Sequence, residues 1–309
     1  MKLVFMGTPD FAVESFKALV EAGHEVVLAV TQPDKPKGRG HKMAPPPVKE
    51  YAQSQNIEVY QPLSVKTDEA FEKLSDTNAD AFIVAAYGQI LPEKILNLPK
   101  YGCINVHASL LPKYRGAAPI QWSIAHGEKV TGVTTMQMDK GLDTGDMLLK
   151  AEVEITEEET GETLHDKLAS VGGKVLLETL EKIENGTIEP TPQDNALSCY
   201  APMLSKETSK IDFSKTASEV FNLIRAMNPY PAAHTLYMDN RMRVFRSEIV
   251  NYIGSEVCGT ILDVLSDGIL VKCSDGAVKI TEVQFDGKKR MAVSEYLKGN
   301  KICSGEVLR

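Results

Sequence analysis

Apolar and polar positions change period along the chain, and each change marks an element. "KLVFMGT" (2–8) is apolar up to a glycine, Phe11 to Val20 is amphipathic with helical spacing, and "HEVVLAVT" (24–31) is apolar again. Strand, helix, strand is a βαβ opening. "VKEYAQSQ" (48–55) predicts a helix and "IEVYQP" (57–62) a short strand. "DAFIVAAYGQIL" (80–91) reads as a buried parallel strand running into a loop, and "GCINVHAS" (102–109) as the next strand. "PIQWSIAHG" (119–127) predicts a helix that stops at Gly127. "TGVTTMQM" (131–138) and "GDMLLKAEVEI" (145–155) alternate like an antiparallel pair. Residues 160–186 form a long amphipathic pattern with a Thr start and an Asn-Gly stop.

The texture then changes. Pro190, Pro192 and Pro202 stand among polar residues, which predicts a linker over 187–206. "SKTASEVFNLIRAM" (214–227) predicts a helix. Short strands follow, punctuated by Asp239-Asn240, Asp267-Gly268, Asp275-Gly276 and Asp286-Gly287. Strands at this spacing suggest a small barrel. The expected architecture is a Rossmann-like α/β domain over 1–186 and a small β-barrel, OB-like, over 207–309. A chain of 309 residues suits two domains.

Composition is that of an ordinary soluble protein, 43% hydrophobic and 25% charged. No apolar run is long enough for a membrane span, and the first residues carry too short an apolar stretch for a signal peptide. Five scattered cysteines without a CxxC predict reduced thiols in a cytoplasmic protein. The six histidines (24, 41, 107, 126, 165, 234) show no ligand spacing, so no metal is expected. The net charge of −8 argues against bulk nucleic-acid binding, but it is uneven. Residues 207–309 hold 14 Lys+Arg against 13 Asp+Glu, whereas 1–206 hold 20 against 29. Basic clusters lie at Arg241, Arg243 and Arg246 and at Lys288, Lys289 and Arg290. By charge alone they are solvated faces.

A dinucleotide site needs G-x-G-x-x-G after the first strand. Here only Gly7 is present and Pro9 stands near it, so no NAD is expected. There is no P-loop and no G-x-S-x-G. The chemistry concentrates in "INVHASLLPKYRG" (104–116). Strand alternation puts Asn105 and His107 on one face; Cys103 shares the parity and reads as a core cysteine. A His and an Asn side by side can both donate to one oxygen, as an oxyanion requires. They can equally serve a nearby backbone carbonyl and a turn. "DKGLDTGD" (139–146) holds three carboxylates and two glycines. It reads as a hairpin turn, or as the source of an Asp that fixes a histidine's tautomer and favours its charged form.

N-x-H, then S-L-L-P-x-Y-R-G, then G-L-D-T-G-D about thirty residues on, resembles the folate-dependent formyltransferases. "FMGTPDFA", "QPDKPKGRG", "HASLLPKYRGAAPIQ" and "AMNPYPAAH" extend the resemblance over essentially the whole chain. It implies a formyltransferase catalytic domain, a donor, 10-formyltetrahydrofolate, and a product, tetrahydrofolate. It implies a catalytic set Asn105, His107 and Asp143, and folate contacts at Ser109, Leu110, Leu111 and Pro112, with Ile90 and Leu91 walling the pterin. The same platform serves enzymes that formylate small amines or hydrolyse the formyl group. The loop "DKPKGRGHK" (34–42), with Lys35, Lys37, Arg39 and Lys42, helps to distinguish them. Read alone it is either a solubilising loop or a mobile phosphate-contacting one. The resemblance implies that it reaches the acceptor arm of methionyl initiator tRNA, with Arg39 foremost, and that the C-terminal barrel also binds tRNA. No membrane and no obligatory protein partner is expected. The competing class is a non-catalytic RNA-binding protein, which would have no reason to bring Asn105, His107 and Asp143 together.

Overall fold

The computed structural model describes residues 1–37 and 42–309. In chain order its first part runs β1 (Lys2–Gly7), α1 (Asp10–Glu21), β2 (Glu25–Val30), β3 (Lys35–Lys37), β4 (Lys42–Ala44), α2 (Pro47–Ser54), β5 (Val59–Tyr60), α3 (Asp68–Ser75), β6 (Ala81–Ala85), α4 (Glu93–Leu96), β7 (Cys103–His107) and β8 (Arg115–Gly116). It continues with α5 (Pro119–Ala125), β9 (Val130–Gln137), β10 (Met147–Glu154), α6 (Gly161–Glu184), β11 (Tyr200–Ala201) and α7 (Ala217–Ala226). The remainder is β12 (Ala233–Tyr237), β13 (Asn240–Val250), β14 (Ile261–Val264), β15 (Ile269–Lys272), β16 (Ala277–Phe285), β17 (Met291–Ala292) and α8 (Val293–Leu297).

Contacts divide the chain into two compact units. One is Met1–Gly116 with Val130–Glu154 and His165–Tyr200; the other is Ala117–Lys129 with Ile155–Leu164 and Ala201–Arg309. The sequence suggests a single cut in a linker. The second unit instead takes in two segments that lie before that linker. The reason is local: α5 packs on α7, and buried Arg225 on α7 donates to the carbonyls of Thr156 and Glu159.

The first unit is built on a sheet of order β10-β9-β7-β6-β1-β2-β5. Strands β7, β6, β1, β2 and β5 are parallel, while β9 and β10 are antiparallel. β6 and β7 are buried at every position, as strands covered on both faces must be. α1 buries Phe11, Ala12, Ser15, Phe16 and Leu19 as one stripe, and Phe16 stacks on Phe5 with ring centroids 4.5 Å apart. Gly7 is explained by packing: a Cβ there would lie 2.7 Å from Ala12 Cβ and 2.9 Å from the Ala85 carbonyl. Chain order reverses between β1 and β6, so a crevice opens beyond their carboxyl ends, where α/β sheets bind ligands.

In the second unit the strands run β12-β13-β16-β15-β14, all antiparallel, with β17 on β16. Residues 305–309 join the two edges. Gly305, Glu306 and Leu308 bond to Gly259 and Ile261 beside β14, and Arg309 exchanges both backbone bonds with Leu236 on β12. This closes the sheet around a core that includes Val244, Val271, Ile280 and Val283. The Asp-containing turns fall between strands as read from the sequence, with Met238 and Asp239 in the left-handed conformation that a tight hairpin needs.

The basic stretch is not wholly a loop. β3 and β4 pair antiparallel, Lys35 opposite Ala44 and Pro36 opposite Met43. Arg39 lies outside the described residues. Asp34, the one acid of that stretch, is held at its base by Lys49, 2.8 Å away, and by Gln61.

Candidate active site

β7 carries the site because it is where the parallel sheet turns antiparallel. It pairs with β6 only as far as Asn105, while β9 follows it to His107. Its last residues therefore lose one neighbour and face the crevice. Cys103, deeper on the same face, is fully buried; burial alone pushes its thiol up to about 12, so it is inert packing.

His107 is 6% exposed and Asn105 9%. The ring Nε2 of His107 lies 2.9 Å from the carbonyl of Tyr114. A carbonyl only accepts, so Nε2 bears a proton and Nδ1 turns to the other side. There Asp143 Oδ2 stands 3.7 Å away. The carbonyl contact that composition alone could offer as the whole role of this histidine is thus real, and it also orients the ring toward a carboxylate. Asn105 differs: no hydrogen bond to its side-chain amide is made among the described residues. The amide is not one of the buried polar groups left without a partner, so it is still reached by solvent and is open to a group that arrives from there.

The segment 139–146 uses its acids for separate tasks. Asp139 Oδ1 accepts from the Gly141 N–H and the Thr144 hydroxyl and stitches the turn internally. Asp143 adopts φ +52°, a left-handed conformation that Asp tolerates better than most residues, and its Oδ2 also accepts from Gly116 N at 2.8 Å. Gly145 is required by close approach, since a Cβ would collide with the Gln137 carbonyl.

The turn after β7 is locked from within. The Ser109 hydroxyl donates to Lys113 O at 2.7 Å, so it closes the turn. Thr134 on β9 donates to Ser109 O and accepts from Leu111 N. Lys150, its pKa lowered by burial, donates to Leu111 O at 2.6 Å. Leu111 packs with Met136 and Met147, and Leu91 joins the core beside Tyr87. Of the residues expected around a pterin, the side chains left accessible are Ile90, 68% exposed, and the half-buried Leu110 and Pro112. Among the described residues no group of three His, Cys, Asp or Glu could hold a metal.

Sequence reading missed Thr134, Lys150, Arg115 and Gln193. Gln193 donates to the carbonyls of Asp143 and Gly145 and accepts from Arg115. Its only sequence signal is a lone Gln in a Pro-rich stretch, which no spacing rule marks.

The chain matches the formyl transferase model over residues 1–180 and the formyl transferase C-terminal domain over 203–301. It is 54% identical to methionyl-tRNA formyltransferase of Ruminiclostridium cellulolyticum, covering all of this chain and 99% of the relative. It is 53% identical to that of Acetivibrio thermocellus, covering all of this chain and 99% of the relative. Among solved structures it resembles WlaRD, a sugar 3N-formyl transferase in the presence of dTDP and 5-N-formyl-THF. The TM-score is 0.69 at 22% identity, over 94% of this chain and 99% of that one.

Proposed function

The chain belongs to the formyl transferases, and among them to the methionyl-tRNA formyltransferases, and from that premise we propose that Asn105, His107 and Asp143 transfer the formyl group of 10-formyltetrahydrofolate to the amino group of methionyl initiator tRNA. The observation that supports the assignment of residues is the Asn105 amide, free of protein hydrogen bonds among the described residues, on the same strand face as His107, whose ring is turned to Asp143.

The amine of the aminoacyl ester attacks the formyl carbon. A C–N bond forms to it, the formyl oxygen takes up charge, and the bond to N10 of the folate then breaks. The Asn105 amide N–H stabilises that oxygen, a donor of this kind contributing about 3 kcal/mol, and the His107 ring joins it by exchanging its Nε2–H from the Tyr114 carbonyl to the arriving oxygen. Asp143 holds His107 and passes the proton from the attacking amine toward the leaving N10. Nothing in these steps calls for a covalent enzyme intermediate. Ile90, Leu110 and Pro112 offer apolar surface to the pterin, and the turn over Ser109–Pro112 offers backbone groups.

For the tRNA, Lys35, Lys37, Arg39 and Lys42 supply phosphate contacts from the first unit. In the second, Arg241 and Arg243 alternate with buried Met242 and Val244, so both point outward from β13. They line a hollow of about 280 Å³ with Lys206, Tyr230, His234 and Gln284. Such a hollow suits a phosphodiester, and Tyr230, 79% exposed, suits stacking on a base. Both substrates imply a cytoplasmic location.

The test is a formyl-transfer assay with charged initiator methionyl-tRNA beside charged elongator methionyl-tRNA and a small purine-precursor amine. Transfer to the initiator alone is expected. Transfer to the small amine, or hydrolysis of the donor only, would move the protein to a sister activity of the same catalytic site.

A further inference from the structure

We propose that Gln193 is the positioning residue for the Asp143 carboxylate, with Arg115 as the group that orients it. This rests on the reading that Asp143 acts with His107.

Asp143 presents its carboxylate from a left-handed backbone, φ +52°; Leu142 before it is exposed, and Thr144 after it is tied only within the turn, to Asp139. Gln193 holds that conformation. Its Nε2 donates to Asp143 O at 2.8 Å and to Gly145 O at 2.7 Å, clasping the loop on both sides of Thr144. Only an NH₂ group can serve two carbonyls, so the orientation of the amide is fixed by chemistry. The other end agrees: Oε1 accepts from Arg115 Nε at 3.0 Å and Nη2 at 2.8 Å, the planar fork that a guanidinium presents. Arg115 Nη1 donates to Asn195 Oδ1 at 2.9 Å, which fixes the fork in turn.

The chain of contacts is closed. Gly116, next to Arg115, donates its N–H to Asp143 Oδ2. Arg115 and its neighbour thus hold Asp143 twice, at the carboxylate directly and at the main chain through Gln193. The Tyr114 carbonyl that fixes His107 belongs to the same segment, so 114–116 sets both partners of the pair. At 3.7 Å, Asp143 Oδ2 and His107 Nδ1 are in ion-pair range and beyond a hydrogen bond, so the pair depends on where the loop is held. A displacement of this loop by an ångström breaks that geometry, and errors of that size cost about 100-fold in rate.

Steady-state kinetics on the full chain test the assignment. Gln193→Ala should lower kcat about 10- to 100-fold while KM for the folate and for the tRNA stay within about twofold. Gln193→Glu has nearly the same shape but cannot donate, and should fall with it. Arg115→Lys, which loses the fork, should lose a part of the same factor. In an Asp143→Asn background, measured by single turnover, Gln193→Ala should cost less than about twofold more, because its effect passes through the carboxylate. Unchanged kcat in both Gln193 variants, or a full further loss in the Asp143→Asn background, overturns the proposal. If Gln193→Ala fails to fold, as a melting curve would show, Gln193→Glu and Arg115→Lys carry the same comparison. An Asp143→Asn enzyme with full activity overturns the reading of Asp143 itself, a result distinct from an inert Gln193 in an enzyme that depends on Asp143.

Discussion

Asn105 and His107 differ in how their polar atoms are spent, and that difference defines their roles. His107 has a fixed partner on each side of its ring, a carbonyl and a carboxylate; Asn105 has an amide with nothing to hold. A donor that the protein leaves open and solvent still reaches is available to an oxygen that arrives with the substrate. Asn105→Ala should therefore lower kcat about 100- to 1000-fold with little change in KM, the loss expected for one oxyanion donor. Asn105→Asp should do no better, because a carboxylate of the same size accepts instead of donating. His107→Ala should abolish turnover while tRNA affinity is retained. Single-turnover rates and a tRNA-binding titration check both; an active His107→Ala enzyme would falsify the mechanism.

The β3–β4 ladder is an element whose base is set by one charged contact. Asp34 accepts from Lys49 at both carboxylate oxygens and from Gln61, and these bonds, Lys49 first, hold its carboxyl below the usual carboxylate range. The contact therefore persists at any pH above the ordinary range of an aspartate and is lost only as pH falls through the lowered value. Lys49→Met removes it at neutral pH. The expected outcome is faster tryptic cleavage at Lys42 and a several-fold higher KM for tRNA, with KM for the folate unchanged. Equal changes in both KM values would mean that the basic stretch serves something other than tRNA.

On the scale of the molecule, charge is partitioned between a catalytic unit and a basic barrel face. His234 sits in the hollow of that face, its Nε2 3.3 Å from Arg241 and its Nδ1 3.3 Å from the Ser209 hydroxyl. Burial, then Arg241, Arg243 and Lys210, hold its imidazole below the usual histidine range. The sign follows: with the folded value lowered, the neutral ring favours the fold above the ordinary histidine range. That contribution is lost as pH falls below it. Melting temperature should decline between pH 7 and pH 5. His24, held down by burial and the N-terminal ammonium, adds the same sign. His234→Gln should flatten part of the decline, and bound tRNA should oppose it by neutralising the arginines. A wild-type and His234→Gln pair with identical melting profiles over this range would rule out the coupling.

What could be read from the sequence is what depends on neighbours in the chain. The period-2 pattern of 102–109 sufficed to put Asn105 and His107 on one face. The Asp-Gly turns sufficed to place the hairpins of the barrel. Those features are fixed by backbone stereochemistry within a few residues. The rest came from contacts that no local rule encodes. That Asp143 meets His107, that Gln193 clasps the Asp143 loop and that Asp34 takes Lys49 depend on which distant segments the sheet brings together. The assignment of Ala117–Lys129 and Ile155–Leu164 to the second unit has the same origin. α5 and the Thr156–Glu159 carbonyls find their partners on α7, and only packing selects a partner so far along the chain.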